Sequence, residues 1–494
     1  MSPILTLSVV LAYFALLFVV AWWTGRGANE HSFFIGNRNS NWLVVAYGMI
    51  GTSLSGVTFM SVPGKVGVAH FAYMQVALGY LLGYWVVAGV LLPLYYRMNL
   101  TSIYHYLLER FGNASYKTGA LLFIVSRTMG ATLRLYLVVN VLQLFILDTW
   151  HIPFWVTAAV VIFMILLYTF QGGVKTIVWT DLLQTTFMLL ALVICIVFIK
   201  NQLGMDWGGF VDSMRSAQLT KVWNTDWGAK GFFLKQVLGG AFITIAMTGL
   251  DQEMMQKNIS VKNLSGAQRN MLSFSGVLVV VNLLFLLLGA ALFMYAKQLQ
   301  MQFPASSDDL FPSIALHYLP PAIGLIFLIG LISALFPSAD GAITALTASF
   351  CIDILGMQRR TDWTEQQKRS NRLKVHLSFA VVFYVCVLVL KVINEKAIID
   401  LLLDIAGYTY GPLLGLFSFG ILTKRRVLDG RVPYVAVLSP VLCYALNYGN
   451  TQFHWLGAYQ IGLELLIING AMTFIGLWFF ASSRSLEEPV DIAH

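Results

Sequence analysis

The segment 42–64 reads WLVVAYGMIGTSLSGVTFMSVPG, and it constrains the possible folds of this chain more than any other. It is apolar and long enough to cross a bilayer, yet Gly48, Gly51, Gly56 and Pro63 interrupt it and five Ser or Thr hydroxyls lie within it. Irregular backbone persists at membrane depth only where it is buried in protein or lines a wet cavity. A broken helix of this kind predicts a mid-membrane site for a cation and a solute. Close packing of small residues between helices is the alternative.

The composition is that of a membrane protein. Of the 494 residues, 58% are hydrophobic and 11% are charged, and the mean hydropathy is +0.74, which excludes an ordinary soluble domain. A window of about 19 residues predicts an all-α polytopic membrane protein with about 13 transmembrane helices. The predicted spans are 3–23, 42–63, 71–96, 117–146, 153–170, 175–199, 232–254, 270–297, 321–354, 372–393, 398–422, 431–449 and 457–481.

The charged residues of the loops predict the topology. Most Lys and Arg residues fall in alternate loops, which predicts that these loops are cytoplasmic, with the N-terminus outside and the C-terminus inside. Lys257, Lys262 and Arg269 are assigned to one such loop. The polar segment 200–231 is expected to form a long loop, and QGGVK at 171–175 a tight turn. No basic cluster of the kind that binds nucleic acid occurs.

Two interrupted spans occupy corresponding places in the two halves of the chain. The span 42–63 is broken by glycines, and five helices later 232–254 contains three glycines followed by Asp251. Paired interruptions indicate an inverted repeat that shares a central site. The single transporter domain, 1–494, is predicted to contain an extra N-terminal helix at 3–23, a first repeat at 42–199, a second repeat at 232–422 and two C-terminal helices at 431–481.

Two carboxylates lie inside predicted spans. Asp181 is in VWTDLLQTT, and Asp340 follows Pro337 by three residues, on the same helix face. A carboxylate at membrane depth is costly and marks a functional site by default, so both are candidates for binding a hard cation. The alternatives are an ion pair of Asp181 with Arg127 or Arg134, and a local hydrogen bond of Asp340 beside a proline kink.

A buried arginine is the candidate for binding an anionic solute. Arg134 lies in ATLRLYLVV, and a guanidinium inside a helix bundle suits bidentate binding of a carboxylate. Pairing with Asp181 or with a backbone carbonyl is the alternative. Gln75 can both donate and accept hydrogen bonds, although its position also fits an interfacial residue.

Four motifs in order resemble those of the sodium/solute symporter family, and the resemblance extends over nearly the whole chain. They are GTSLSGVTFMSVPGK (51–65), QGGVKTIVWTDLLQ (171–184), SADGAITALTASFCIDI (338–354) and GYTYGPLLGLFSFGIL (407–422). The first motif is especially similar to that of bacterial sodium-coupled sialic acid transporters. The resemblance implies a LeuT-like inverted repeat of five plus five helices, one extra N-terminal and two extra C-terminal helices, and sodium-driven uptake by alternating access.

The resemblance also implies site residues. The family's sodium site falls on Gly51, Leu54, Ala334, Pro337 and Ser338. The second sodium site of the sialic acid group falls on Asp181, Pro337, Asp340 and Gly341. The substrate site of that group falls on Ser55, Thr58, Gln75 and Arg134. Where the family has serine, Pro337 offers no side-chain oxygen, so the number of sodium ions, one or two, and any proton coupling stay open.

The sequence therefore predicts a sodium-coupled symporter that imports sialic acid or a related sugar acid across the bacterial inner membrane as a monomer. A neutral sugar or a short carboxylate is the alternative solute, and a sensor with a transporter fold is a further alternative. A channel would show a repeated filter loop, and an enzyme a catalytic cluster. Neither pattern is visible, so the chain is expected not to be an enzyme.

Overall fold

The computed structural model describes residues 3–25, 40–393 and 398–482, which form helices almost throughout. The all-α class is confirmed. Within the described residues, the strands are β1 (Arg426–Val427) and β2 (Ala481–Ser482), which pair antiparallel.

The helices of the first half begin with α1 (Pro3–Gly25), which precedes the first broken span. The others are α2 (Trp42–Ser53), α3 (Gly56–Gly64), α4 (Val66–Ala69), α5 (Tyr73–Val86), α6 (Leu92–Arg97), α7 (His105–Arg110), α8 (Asn113–Leu142), α9 (Phe154–Gln202) and α10 (Trp207–Ser216). One π-helical turn, Val87–Leu91, joins α5 to α6, and another, Gln143–Leu147, extends α8 into the 3₁₀ turn Asp148–Trp150.

The helices of the second half begin with the other broken span of the predicted pair. They are α11 (Phe233–Thr244), α12 (Gln252–Ile259), α13 (Leu264–Gln298), α14 (Leu310–Ser313), α15 (Pro321–Ser349), α16 (Glu365–Ile393), α17 (Ile398–Thr409), α18 (Gly411–Leu422), α19 (Val432–Phe453) and α20 (Leu465–Phe479). The π-helical turns here are Ile245–Gly249, Ile314–Tyr318 and Phe350–Ile354, and the 3₁₀ turns are Ser307–Asp309, Met357–Arg359 and Asp429–Arg431.

Three helix pairs are bent at a short break. The bend is 53° between α2 and α3, 65° where the helix Phe233–Gly249 meets α12, and 45° between α17 and α18. The first two are the interruptions that the glycine pattern predicts. Both predicted breaks are confirmed, although Pro63 lies inside α3 and does not interrupt it. Glycine weakens a helix, which favours a break nearby.

Within the described residues, eight helices are long and apolar enough to cross a membrane, or eleven if each bent pair counts as one span. The segment Phe154–Leu167 of α9 and the helix α20 (Leu465–Phe479) are apolar but shorter. The number of about 13 spans therefore stays a prediction that rests on the window of about 19 residues.

Two predicted loops contain helix in the structure. The helix α9 runs without a break from Phe154 to Gln202, so the tight turn predicted at 171–175 is wrong. Two adjacent glycines permit a turn but do not force one when strong apolar helices flank them. The predicted loop 200–231 contains the helix α10, whose first turn is capped by Asp206, which accepts a hydrogen bond from the amide of Gly209 at 3.0 Å.

Close backbone contact joins α5 to α11. A methyl group added at Gly79 of α5 would overlap the carbonyl of Val237 in α11, and one added at Gly240 would overlap the carbonyl of Val76. The two helices can approach this closely because glycine has no side chain, a common device in membrane helix pairs. This contact fixes α11, and with it the second break, against the first repeat.

Candidate functional site

The first break exposes backbone oxygens at the centre of the molecule. The helix α2 ends at Ser53 and α3 begins at Gly56, while Leu54 has φ −90° and ψ 81° and Ser55 is extended. Within the described chain, the carbonyls of residues 51–54 accept no backbone hydrogen bond, because the next amides no longer follow the helix. Buried carbonyls of this kind are suited to bind a cation or a ligand.

A cavity of about 100 Å³ lies beside this break. Its lining is drawn from both repeats and consists of Thr52, Ser53, Leu54, Ser55, Val57, Thr58, Tyr73, Tyr80, Tyr84, Arg127, Arg134, Ile243, Thr244, Met247, Thr248, Met254, Leu278, Asn282, Ile399, Leu402 and Leu403. Twelve of these 21 side chains carry a polar group and nine are apolar, so the cavity offers many hydrogen-bonding groups to a small molecule. Three of the four predicted substrate residues, Ser55, Thr58 and Arg134, line it.

Two arginines line the cavity, and only one of them forms an ion pair. Arg127 forms an ion pair with Glu253, and its Nη1 lies 3.8 Å from a carboxylate oxygen of Asp251. Arg134, two turns further along α8 and 8% exposed, has no hydrogen-bond partner for Nε or Nη1 among the described residues. Since Asp181 is paired elsewhere, the ion pairs considered for it with Arg127 or Arg134 are wrong. Arg134 thus presents an unpaired guanidinium to the cavity.

Other polar groups surround the same space. The amide Nδ2 of Asn282 donates to the Leu278 carbonyl at 2.8 Å, but its Oδ1 has no partner among the described residues. The hydroxyls of Tyr73 and Tyr80 lie 2.9 Å apart in a hydrogen bond. Gln75 is fully buried outside the cavity lining, so the interfacial alternative for it is wrong. Its Nε2 donates to the backbone of its own helix start.

The predicted first sodium site lies where α2, α9 and α15 meet. A methyl group added at Gly51 would overlap the hydroxyl of Thr185 and would lie 3.6 Å from Cγ of Pro337. Thr185 is fully buried and its hydroxyl has no partner among the described residues. Ser338 donates to the Leu335 carbonyl at 2.8 Å, which leaves its oxygen lone pairs as acceptors.

These groups fit a sodium ion, a hard cation that binds oxygen. The carbonyls of Gly51 and Leu54 are free of backbone hydrogen bonds, and the Thr185 hydroxyl is an unsatisfied oxygen beside Pro337. A buried polar atom without a protein partner usually bonds to a water or an ion, or has a catalytic role. The predicted Ala334 is also fully buried on α15, within the same helix segment.

The predicted second sodium site contains a protein cation. Lys257 Nζ donates to Asp181 Oδ2 and to Thr52 Oγ1, each at 2.7 Å. Lys257 Nζ also lies 3.5 Å from Glu253 Oε1. The assignment of Lys257 to a cytoplasmic loop is wrong, because α12 carries the residue into the core, where it is 3% exposed.

The other residues of that site also face protein groups. Asp340 is fully buried, and its Oδ1 accepts from the amide of Gly341 at 2.5 Å, which is the local bond considered as the alternative. A methyl group added at Gly341 would overlap the Glu253 carboxylate. Asp181 Oδ1 has no partner among the described residues, whereas Oδ2 is taken by Lys257. With Pro337 lacking a side-chain oxygen, this set does not fit a second sodium ion in the conformation seen here.

The second break is closed by side chains. Asp251 caps α12 by accepting from the amides of Glu253 at 2.9 Å and Met254 at 3.2 Å, and its other oxygen accepts from the Tyr410 hydroxyl at 2.8 Å. The break's carbonyls are satisfied as well. Tyr95 donates to the Gly249 carbonyl at 2.8 Å, and Tyr104 donates to that of Leu250 at 2.9 Å.

The far end of α3 is held by a separate polar contact. Lys65 forms an ion pair with Asp400, and the backbone amide of Ile398 donates to Asp308 Oδ2 at 3.0 Å. A methyl group added at Gly64 would overlap the backbone at Ser307. Burial raises the pKa of the Asp308 carboxyl above its usual range. These contacts close one end of the bundle around the cavity.

Sequence reasoning missed several residues of the site, among them Asn282, Thr185, Glu253 and Lys257. Glu253 and Lys257 are spaced i, i+4 directly after Asp251, a dense run of charge inside a broken apolar span. That run was a signal that these charges pair inside the protein. No local signal distinguishes Thr185 from the other threonines of α9, since only its contact with Gly51 sets it apart.

Comparison with known families gives a match over most of the chain. The model of the sodium:solute symporter family matches residues 33–432.

Two curated bacterial relatives resemble the chain over nearly their full length. The sodium/sialic acid symporter NanT of Aliivibrio fischeri is 23% identical over 479 residues, which cover 93% of this chain and 90% of the relative. The sodium/sialic acid symporter SiaT of Proteus mirabilis is 23% identical over 472 residues, which cover 93% of this chain and 92% of the relative.

A solved structure shares the fold. A sodium-coupled sialic acid symporter in a substrate-bound outward-open state superposes with a TM-score of 0.82 at 19% identity, covering 97% of this chain and 99% of that one. The LeuT-like arrangement expected from the four motifs is thereby confirmed.

Proposed function

The chain belongs to the sodium:solute symporter family, and on that premise we propose that it imports a sialic acid or a closely related sugar acid together with sodium. Two relatives of similar length are sodium/sialic acid symporters, which supports this class of solute. The transport takes place by alternating access, in which sodium and solute stabilise successive conformations and no covalent bond changes.

The unpaired guanidinium of Arg134 carries this proposal. It is buried, it borders the cavity, and its Nε and Nη1 have no partner among the described residues. An unsatisfied buried charge costs several kcal/mol by an order-of-magnitude argument, roughly 3–5, so its persistence points to an anionic ligand. A carboxylate can accept two parallel hydrogen bonds from one edge of the guanidinium in a bidentate pair, which offsets its charge. Arg127 cannot serve in the same way, because Glu253 already neutralises it.

The remaining cavity wall favours a solute with many hydroxyl groups. The hydroxyls of Ser55 and Thr58 and the free Oδ1 of Asn282 border the same space as Arg134. A sugar acid places one carboxylate and several hydroxyls on a compact frame, so it can satisfy all these groups at once. A short carboxylate would satisfy Arg134 but leave the other groups unpaired, which lowers its affinity.

Sodium is a co-substrate in this proposal. The carbonyls of Gly51 and Leu54 would hold the ion together with Ser338 and the Thr185 hydroxyl, which replaces the serine oxygen that Pro337 lacks. The ion would then tie α2 to α9 and α15 and order the break that the solute contacts. Each sodium charge that crosses the membrane field contributes about 2.3 kcal/mol per 100 mV to uptake.

The chain is an integral membrane protein, and we propose the bacterial inner membrane as its location. The excess of Lys and Arg in alternate loops supports an external N-terminus and a cytoplasmic C-terminus. We propose a monomer as the transporting unit.

Uptake of labelled sialic acid into proteoliposomes tests the proposal. An inward sodium gradient should drive accumulation above the external concentration, whereas an equal potassium gradient should not. Sodium-dependent thermal stabilisation without any sialic acid uptake would remove the solute assignment and leave sodium coupling in place. The absence of both would contradict the proposed function.

Two variants test the role of Arg134. Arg134→Ala should abolish sialic acid uptake, while sodium should still raise the melting temperature, because the proposed ion site is separate. Arg134→Lys keeps the charge but loses the bidentate geometry, so it should retain weak binding. If Arg134→Ala binds sialic acid as tightly as the wild type, the carboxylate assignment is wrong.

A further inference from the structure

The Lys257 ammonium is placed as a bound cation would be. It is 3% exposed and lies within 3.5 Å of three oxygens, on Thr52, Asp181 and Glu253. An ammonium has three donors in a compact arrangement, so each of its hydrogens can point to one of these oxygens. The three oxygens come from α2, α9 and α12, and the lysine therefore bridges both repeats.

The charge of Lys257 is matched by its surroundings. Its partner Asp181 is fully buried, and the charge of Asp340 on α15 also acts on the ammonium. The Glu253 carboxylate is shared, since its other oxygen pairs with Arg127. Carboxylates inside a membrane protein normally need a nearby cation to offset their charge. Here the chain supplies that cation itself.

We propose that Lys257 is a tethered cation that occupies the place of a second sodium ion, so that the protein couples one sodium ion to each solute. The inference rests on the proposed function and adds its ion stoichiometry. A sodium ion bound to Asp181 would have to displace a positive charge that α12 anchors 2.7 Å from the same oxygen. Two cations on one carboxylate repel each other strongly in a buried site.

The one-sodium stoichiometry has a direct electrical consequence. A sugar acid carries one negative charge at neutral pH, so its entry with one sodium ion moves no net charge. Entry with two sodium ions moves one positive charge inward. Because one charge in a 100 mV field corresponds to about a fiftyfold ratio at equilibrium, the two cases are easily separated.

Sodium-22 binding to the purified full-length protein is the first measurement. Without solute, the wild type should bind one ion per chain with a Hill coefficient near one. Lys257→Ala frees Asp181 and should bind two, with a Hill coefficient approaching two. The double variant Lys257→Ala/Asp181→Asn removes both charges and should again bind one sodium ion. This result distinguishes a specific sodium site at Asp181 from a general loss of packing.

Voltage dependence of uptake is the second measurement, with labelled sialic acid in proteoliposomes and a potassium diffusion potential. Wild-type accumulation should not change when the interior is made 100 mV negative, whereas accumulation by Lys257→Ala should rise up to about fiftyfold. If Lys257→Ala does not fold, the wild-type ion count and voltage response still decide the matter.

The outcomes separate the inference from the proposed function. A wild type that binds two sodium ions, or a folded Lys257→Ala that still binds one, overturns the tethered-cation assignment while sodium coupling stands. A wild type that binds one sodium ion but takes up no sialic acid supports the assignment and removes only the solute. A wild type that binds no sodium overturns both.

Discussion

The two broken helices occupy corresponding places in the two repeats, yet they satisfy their backbone in opposite ways. At the first break, the carbonyls of residues 51–54 accept no backbone hydrogen bond within the described chain. At the second break, Tyr95 and Tyr104 donate to the carbonyls of Gly249 and Leu250. The carbonyls of the first break are free of backbone hydrogen bonds among the described residues, whereas those of Gly249 and Leu250 at the second are bonded to tyrosine hydroxyls.

The difference extends to charge. The second break carries a paired network in which Arg127 contacts Glu253 and Asp251, while Tyr410 donates to Asp251. The first break has hydroxyls and, on the facing helix, the unsatisfied Thr185. A buried polar group without a partner costs free energy, about 1–3 kcal/mol, which a bound ion can recover. A broken helix can therefore have free or bonded carbonyls, and the side chains of the facing helices decide which.

The largest expected effect comes from breaking the network at the second break. Arg127→Met removes the guanidinium that pairs with the buried carboxylates of Glu253 and Asp251, so the free energy of unfolding should fall by about 3–5 kcal/mol. Denaturation of the detergent-solubilised protein, without sodium or solute, measures it. Adding Glu253→Gln should restore part of the loss. A decrease below about 1 kcal/mol would show that the network is not structural.

At the first break, Gly51→Ala should lower stability more than any other substitution that adds a single methyl group. It would overlap the Thr185 hydroxyl, so we expect a loss of about 1–3 kcal/mol in stability and no sodium-dependent thermal shift. In the double variant Gly51→Ala/Thr185→Ala the overlap is relieved. Its stability should recover while the sodium response stays low, because the proposed ligand is gone. Full recovery of the sodium response would exclude Thr185 as a ligand.

Tyr104→Phe tests the second break. It removes the hydrogen bond to the Leu250 carbonyl, so the stability without ligand should decrease by about 1–3 kcal/mol. The sodium concentration at half-maximal thermal shift should stay at the wild-type value, since the proposed sodium site lies at the other break. A marked change in that midpoint would mean that the sealed break also contributes to sodium binding.

The smallest effect should come from Thr185→Val, which keeps the shape and removes one oxygen. Sodium affinity should fall about fivefold, or about 1 kcal/mol, while stability without sodium should not decrease. Thr186→Val is the matched control, because that hydroxyl already bonds to Tyr47 at 3.1 Å and to the Leu182 carbonyl at 2.8 Å. Equal sodium midpoints for the two variants would argue against the Thr185 assignment.

The sequence by itself determined the membrane class, the two breaks and the family. These depend on local quantities: the length of apolar runs, the glycines and Pro63 within them, and the order of four motifs. Arg134 was also found in this way, because an arginine within an apolar helix is conspicuous at any position.

Only the tertiary structure decided which charges are already paired. Asp181 and Lys257 are 76 residues apart, and Arg127 and Glu253 are 126 apart, so no window along the chain reveals either pair. The same holds for Thr185, which differs from neighbouring threonines only because Gly51 lies against it. A side chain's availability for a ligand depends on which distant groups the fold brings within hydrogen-bond reach, and that is a property of packing.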